Sequence, residues 1–189
     1  MEQRGSNEVQ LTIAGAGGGG ILTAGKLLIE AAISKYNHVS LSPNYAAAMR
    51  GGEVECTAVL SDNEISSPVM FKPQAVIILS RAMLAFFEKR VQSGGIIILD
   101  CTMIPDKVTR DDIQVFYIPA TEVAAELGAS HVANLILLGA YIEATKVIPL
   151  ELVEKVLDRR LAGGRKEALL PLNRRALREG ARLVAEYKG

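Results

Sequence analysis

The fold is decided by residues 9–25, which read VQLTIAGAGGGGILTAG. The first six of these residues form an apolar, β-branched run that predicts a buried strand. The glycines that follow stop that strand, and apolar residues then recur at helical spacing as far as Ile33. The segment therefore predicts a strand, a glycine turn and a helix, which together form the opening unit of an α/β domain.

The rest of the chain continues this alternation. Continuous apolar runs at residues 75–79, 96–99 and 115–118 predict strands that are buried on both faces of a sheet. A short strand is expected at 38–41 and a loop at 43–52, whereas residues 54–60 and 65–69 predict an edge hairpin around 61–63. Helical spacing is expected over residues 81–91, 123–127, 132–145, 150–161 and 173–187, with Ser80 and Asn173 as N-caps.

Length and pattern together predict one domain that covers residues 1–189. Strands that alternate with helices favour a sheet covered on both faces, because a buried parallel strand needs a helix on each side. The predicted fold class is therefore α/β, a three-layer α/β/α Rossmann-like domain with a mostly parallel sheet and an edge hairpin.

Charge and composition exclude several classes of protein. Lys plus Arg and Asp plus Glu both number 21, so no net field attracts nucleic acid, although the segment from Glu151 onward is locally basic. The apolar runs are too short to cross a membrane, and the amino terminus has no leader pattern. The two cysteines, Cys56 and Cys101, and the two histidines do not form a metal-ligand motif. A cytoplasmic protein without a metal site and without nucleic-acid or membrane partners is expected.

The glycine turn is the first candidate binding site. Gly15, Gly17 and Gly20 match G-x-G-x-x-G between a strand and a helix, and Gly18 lies within the same turn. Backbone N–H groups and the helix dipole can hold a phosphate there. NAD is disfavoured because the second strand, at residues 38–41, is not followed by the acid that binds the ribose hydroxyls. Close packing of helix on strand and binding of another phosphate group remain equal alternatives.

Three further residues are candidates for ligand contacts. Arg50 precedes Gly51, so a guanidinium stands beside backbone that can bend towards a phosphate, a carboxylate or a subunit; a solvated loop arginine is the alternative. Asn134 interrupts an apolar helix and either ties that helix to a loop, the favoured interpretation, or contacts a ligand. His131 and Cys101 have no recognisable catalytic partner, so no catalytic residue is predicted.

Several short motifs then follow one another at specific spacings. They are GAGGGG at 15–20 with Ala24 and Gly25, PNY at 43–45 leading to MRGG at 49–52, ISSP at 65–68, PAT at 119–121, ELG at 126–128, AN at 133–134 with LGA at 138–140, and NRRA at 173–176 with Gly180. In this order they resemble the gamma subunit, or the equivalent fused domain, of the 2-oxoacid:ferredoxin oxidoreductases. That family includes pyruvate, 2-ketoisovalerate, 2-oxoglutarate and indolepyruvate oxidoreductases, and the resemblance covers nearly the whole chain.

The resemblance implies a subunit of an enzyme that decarboxylates a 2-oxoacid on thiamine diphosphate, passes electrons through iron–sulfur clusters to ferredoxin and transfers the acyl group to coenzyme A. It implies that thiamine diphosphate, Mg and the clusters belong to alpha, beta and possibly delta partners. This chain is then expected to bind no cofactor tightly and to help form the approach of coenzyme A, the co-substrate. Two departures from the family pattern, Gly19 in place of glutamine and residues 46–48 in place of a Gly-Pro-Glu-like stretch, remove side chains that could bind ligand.

Two other functions are compatible with the residues themselves. One is a stand-alone nucleotide- or coenzyme-binding module that uses the glycine turn, and the other is a purely structural assembly subunit.

Overall fold

A computed structural model describes residues 8–44, 52–67 and 72–187 of the chain. Its strands are β1 (Val9–Ala16), β2 (His38–Asn44), β3 (Glu53–Ser61), β4 (Ala75–Ile78), β5 (Ile96–Asp100) and β6 (Gln114–Ile118). Its helices are α1 (Ile21–Ala32), α2 (Arg81–Glu88), α3 (Ala120–Glu126), α4 (Ala133–Thr145), α5 (Leu150–Leu161) and α6 (Leu170–Ala185). Short 3₁₀ turns at Ser130–Val132 and Glu167–Leu169 lead into α4 and α6.

The strands form one sheet in the order β2-β3-β1-β4-β5-β6. β1, β4, β5 and β6 pair in parallel, and β3 runs antiparallel to both of its neighbours. Since β3 is reversed relative to β1 and to β2, β2 points the same way as β1. The prediction of a mostly parallel α/β sheet is confirmed.

An antiparallel edge pair is present, but it joins β2 and β3, so the predicted pairing of residues 54–60 with 65–69 is wrong. β3 pairs with β2, in a register that sets Val39 opposite Leu60 and Pro43 opposite Cys56. β2 is longer than expected because Pro43 lies on the outer strand, where a missing N–H does not interrupt the sheet. Residues 65–67, which were predicted to begin the partner strand, belong to no strand, and residues 68–71 lie outside the described residues.

Helices cover both faces of the sheet, as predicted. On the first face α1 packs on β1, β2 and β3, α4 packs on β4 and β5, and α5 and α6 lie against these two helices. On the second face α2 contributes Met83, Leu84 and Phe87 to a smaller apolar cluster with β4 and β5. The first face therefore contains most of the core, which buries α4 completely from residue 133 to residue 142.

Two glycines allow α4 and α6 to approach closely. A Cβ at Gly139 would overlap the carbonyl of Leu177, and a Cβ at Gly180 would overlap the carbonyl of Ile136. Backbone therefore packs directly on backbone at this crossing, where no side chain would fit.

The structure corrects two predicted caps and one helix end. α6 begins three residues before Asn173, with Pro171 in its first turn, where the missing N–H costs no hydrogen bond, so Asn173 is not an N-cap. Ser80 does precede α2, but its hydroxyl donates to Glu53 Oε2 at 2.9 Å and does not cap the helix. α2 ends at Glu88, short of the predicted residue 91. Over the described ranges, none of the helices is long and apolar enough to cross a membrane.

Candidate functional site

The glycine turn lies at the point where the connecting helices on either side of β1 leave for opposite faces of the sheet. From the carboxyl end of β1 the chain crosses through α1 to β2, on the far side of β3. β4, which pairs with β1 on its other side, continues into α2 on the opposite face. The two strand ends touch: Leu79 N donates to Ala14 O at 2.9 Å, and a Cβ on Gly15 would lie 2.8 Å from Leu79 Cβ. In open α/β sheets a ligand crevice forms at this position, between helices that leave towards opposite faces.

The turn itself leaves the positive end of α1 open. Gly18 (φ 87°) and Gly20 (φ 75°) have left-handed backbone, which glycine adopts without strain. Gly17 N donates to Gly52 O at 2.9 Å, and this bond fixes the turn against the start of β3. The first helical bond runs from Ala24 N to Gly20 O at 3.0 Å, and no side chain caps the amides that precede it, at residues 21–23. These N–H groups can therefore bind an anion.

Asn134 joins this turn to the buried helix α4. Its Nδ2 donates to Gly20 O at 3.0 Å, so the expected tie between helix and loop is present. The residue is only 6% exposed, and its Oδ1 has no hydrogen-bond partner. A Cβ at Gly20 would overlap the Asn134 amide, which explains why glycine is required at that position.

A cavity of about 580 Å³ opens beside the turn, between α1, α4, α5 and the start of α6. We call it the glycine-loop cavity. Its apolar wall consists of six aliphatic side chains, Leu27, Val132, Leu135, Leu157, Leu161 and Leu169. Gly18, Gly20, Thr23 and Asn134 line the cavity beside the turn, and His131, Arg160, Lys166 and Asn173 supply the remaining polar groups.

Arg160 is held in place by an acid on α1. Its Nε donates to Glu30 Oε2 at 2.9 Å, and its Nη2 contacts Glu30 Oε1, so the pair is bidentate. The hydrogen bond from Arg160 lowers the pKa of the Glu30 carboxyl, and the same bond raises the pKa of Arg160. The pair fixes a cation at the wall of the glycine-loop cavity.

The structure brings five of the seven predicted site residues together. Gly17, Gly18 and Gly20 form the turn, Gly15 lies just before it in β1, and Asn134 is hydrogen-bonded to the turn. Arg50 and Gly51 lie outside the described residues. Within the described ranges, no group of three His, Cys, Asp or Glu side chains could hold a metal ion.

The sequence analysis did not predict the part of the cavity wall that Arg160 and Lys166 form. Arg160 reaches the site by pairing with a residue 130 positions earlier in the chain, and Lys166 reaches it from the loop that follows α5. The available signal was the local excess of basic residues after Glu151. That excess does not say which cation faces a ligand, because the choice depends on how α5 packs against α1.

Comparison with known proteins places these features in a family context. A family model described as "Pyruvate ferredoxin/flavodoxin oxidoreductase" matches residues 10–183. Ketoisovalerate oxidoreductase subunit VorA of Methanothermobacter thermautotrophicus is 32% identical over 95% of this chain, and this chain spans only 37% of its length. 2-Oxoglutarate synthase subunit KorC of Methanothermobacter marburgensis is 32% identical over 94% of this chain and 97% of its own length.

Solved structures show the same fold. The gamma subunit of a keto/oxoacid ferredoxin oxidoreductase from Geobacter sulfurreducens superposes with a TM-score of 0.80 at 25% identity, covering 95% of this chain and 99% of that one. A chain of the 2-oxoglutarate:ferredoxin oxidoreductase from Magnetococcus marinus, solved with 2-oxoglutarate, coenzyme A and succinyl-CoA bound, superposes with a TM-score of 0.84 at 18% identity. This match covers 96% of our chain and 32% of that chain.

Proposed function

Because the chain belongs to the pyruvate ferredoxin/flavodoxin oxidoreductase family, we propose that it is the gamma-type subunit of a 2-oxoacid:ferredoxin oxidoreductase. Relatives of similar length support this role, since KorC and the Geobacter gamma subunit match it from end to end. The longer VorA contains the same unit as about a third of its length. The whole enzyme would convert a 2-oxoacid and coenzyme A into an acyl-CoA and reduce ferredoxin.

In this proposal the chain binds and positions coenzyme A but does not carry out the chemistry. Thiamine diphosphate, Mg and the iron–sulfur clusters belong to alpha, beta and possibly delta partners, which pass electrons on to ferredoxin. The contribution of this chain is a docking site for coenzyme A at the glycine turn. The uncapped first turn of α1 is the observation that carries this assignment, because phosphate groups bind at such helix ends.

The remaining predicted contacts fit the same ligand. Gly15, Gly17, Gly18 and Gly20 would bring the backbone close to a phosphate, and Asn134 would hold the turn in shape. Arg50 and Gly51 are proposed to contact either coenzyme A or a partner subunit. A cytoplasmic location, without nucleic-acid or membrane partners, stays a prediction of the sequence.

The same turn would also serve a stand-alone nucleotide- or coenzyme-binding module. Purification of the tagged chain from its native source separates the two functions. The proposed subunit should co-purify with proteins that contain thiamine diphosphate and iron–sulfur clusters. The complex should oxidise a 2-oxoacid in a reaction that depends on coenzyme A, and the isolated chain should give no turnover. Recovery of the chain without such partners, or turnover by the pure chain, would contradict the proposal.

A further inference from the structure

A second cavity opens at the other end of the parallel strands. β1, β4 and β5 begin at the same edge of the sheet, and a cavity of about 560 Å³ lies there. The starts of these strands line it, together with the end of α4 and the turn that follows α1. We call it the amino-edge cavity. Because it lies at the opposite end of β1 from the glycine turn, it is separate from the site proposed for coenzyme A.

Two buried side chains in its lining each have a polar atom without a hydrogen-bond partner in the described part of the chain. Gln10 is 8% exposed; its Nε2 donates to Glu8 Oε1 at 2.6 Å, and its Oε1 is unpaired. The Glu8 carboxylate fixes the direction of this amide, because only the nitrogen can donate to it. Tyr141 is fully buried with an unpaired hydroxyl, and the Thr145 hydroxyl donates to the backbone oxygen of Tyr141 at 2.7 Å. Buried polar atoms are normally satisfied by protein, water or a ligand, and a cavity of this size holds a small organic molecule.

The charges around the cavity favour an anion with a single negative charge. Lys35, Lys146 and Asp62 are the charged residues that line it, so the lining carries one net positive charge. Lys35 Nζ donates to Val147 O at 2.8 Å, and an ammonium group has further protons to donate. A dianion would add negative charge beside Asp62, so a carboxylate suits the cavity better than a phosphate.

Lys146 has a backbone conformation that favours glycine. Its φ is 51°, and among the described residues it is the only one other than glycine with a positive φ. It ends α4, where its N–H donates to Ile142 O at 2.8 Å, at a position that glycine usually occupies. A lysine in this strained position indicates a role for its side chain at the cavity.

The rest of the lining is a mixture of polar and apolar side chains. Hydroxyl and amide groups, which suit a ligand with several hydroxyls, come from Tyr36, Gln74, Gln92, Ser93 and Thr145. Val9, Ile96 and Val147 supply apolar surface on which a carbon chain can pack.

We propose that the amino-edge cavity binds a polyhydroxylated monocarboxylic acid of about the size of a sugar acid. Lys35 and Lys146 hold its carboxylate, and the Tyr141 hydroxyl donates to the same group. A hydroxyl of the ligand donates to Gln10 Oε1. This site is independent of the proposed function, since the two cavities share no lining residue.

Titration calorimetry on the full chain tests the class of ligand. The probes are D-gluconate, hexanoate, which matches it in carbon chain and charge but lacks the hydroxyls, and sorbitol, which has the hydroxyls but no charge. We expect gluconate to bind at least about tenfold more tightly than either of the others. Equal binding of hexanoate would show that the hydroxyls are not recognised, and equal binding of sorbitol that the carboxylate is not. Either result, or no binding of gluconate, would overturn the proposal.

Two variants test the carboxylate contacts without disturbing the fold. Tyr141→Phe deletes an unpaired hydroxyl, and Lys146→Gly places glycine in left-handed backbone, so neither should lower the melting temperature. Each should weaken gluconate binding about fivefold or more. Lys155→Ala removes an exposed cation of α5 that does not line the cavity, and its affinity should stay within about twofold of the wild type.

Two results would contradict these contacts. One is wild-type affinity for gluconate in either cavity variant. The other is a lowered melting temperature of Tyr141→Phe, which would show that the hydroxyl already has a partner inside the protein.

Discussion

Glycines act for different physical reasons at two places in this molecule. At the crossing of α4 and α6, Gly139 and Gly180 have ordinary helical backbone, but an added Cβ would overlap the facing helix. In the turn after β1, Gly18 has left-handed backbone and no atom within 4 Å of the added Cβ. Packing inside the protein requires glycine at Gly139 and Gly180, whereas the space beside Gly18 is open. Conformation and surroundings therefore separate glycines that maintain the fold from glycines that leave room for the proposed ligand.

The largest effect should come from the helix crossing. Gly180→Ala places a methyl group on the carbonyl of Ile136, so α4 and α6 must separate, and we expect a loss of more than about 3 kcal/mol of stability. Gly164→Ala is the control, because its Cβ would meet only Leu161 O at 3.4 Å and should change stability by less than about 0.5 kcal/mol. Urea denaturation of the two variants checks this prediction. Similar stabilities would show that the helices do not pack through glycine.

The glycine turn should show a graded response to valine. Gly20→Val combines left-handed backbone with overlap on Asn134 and should cost about 2–4 kcal/mol. Gly17→Val lacks the backbone strain but brings its Cβ to 3.0 Å from Gly52 O, so a cost of about 1–3 kcal/mol is expected. Thermal denaturation of both variants measures the difference. Unchanged melting temperatures in both would remove the argument that this turn requires glycine.

Asn134 should contribute less than Gly20, because it supplies a single hydrogen bond. Asn134→Ala removes the donor to Gly20 O and should destabilise the chain by about 1–2 kcal/mol. Asn173→Ala is a suitable comparison, because Asn173 also lines the glycine-loop cavity and is likewise an amide on a helix. Denaturation curves for the two alanine variants give the difference. An equal response would mean that the bond to the turn contributes nothing measurable.

The smallest effect concerns the ion pair between Glu30 and Arg160. The pKa of Glu30 is lowered in the folded chain by its hydrogen bond from Arg160, so the pair stabilises the fold above about pH 5. That stabilisation disappears as the pH falls through the lowered pKa. Because the Glu30 side chain is 39% exposed, Glu30→Gln should cost only about 0.5 kcal/mol at pH 7, and this cost should shrink as the pH falls through the lowered pKa towards pH 3.

Stability curves measured at the two pH values for the wild type and Glu30→Gln check this difference. Glu64→Gln alters an exposed carboxyl on a loop and serves as the control. A difference between wild type and Glu30→Gln that was equally large at pH 7 and pH 3 would contradict the assignment to the ion pair.

The elements that sequence predicted best are those whose pattern is local. The strand from Val9, the glycine turn and α1 follow directly from residues 9–25. The pairing of β2 with β3 did not follow, because residues 65–69 have the same apolar character as β2 and only the long-range register decides between them. Arg160 was missed for the same reason, since its place in the site depends on a partner 130 residues away.

The central claim, that the glycine turn binds coenzyme A for the oxidoreductase, is tested most directly by a matched pair of glycine variants. Gly18 (φ 87°) and Gly94 (φ 76°) share left-handed backbone and have no atom within 4 Å of the added Cβ, so valine should strain both equally. Their positions in the fold differ. Gly18 follows the carboxyl end of β1 and lines the glycine-loop cavity, whereas Gly94 lies just before the amino end of β5, at the opposite end of the parallel strands. In complexes reconstituted with each variant, the measurement is the Michaelis constant for coenzyme A. The account predicts an increase of about tenfold or more for Gly18→Val and less than about twofold for Gly94→Val. Equal Michaelis constants in the two variants would contradict it.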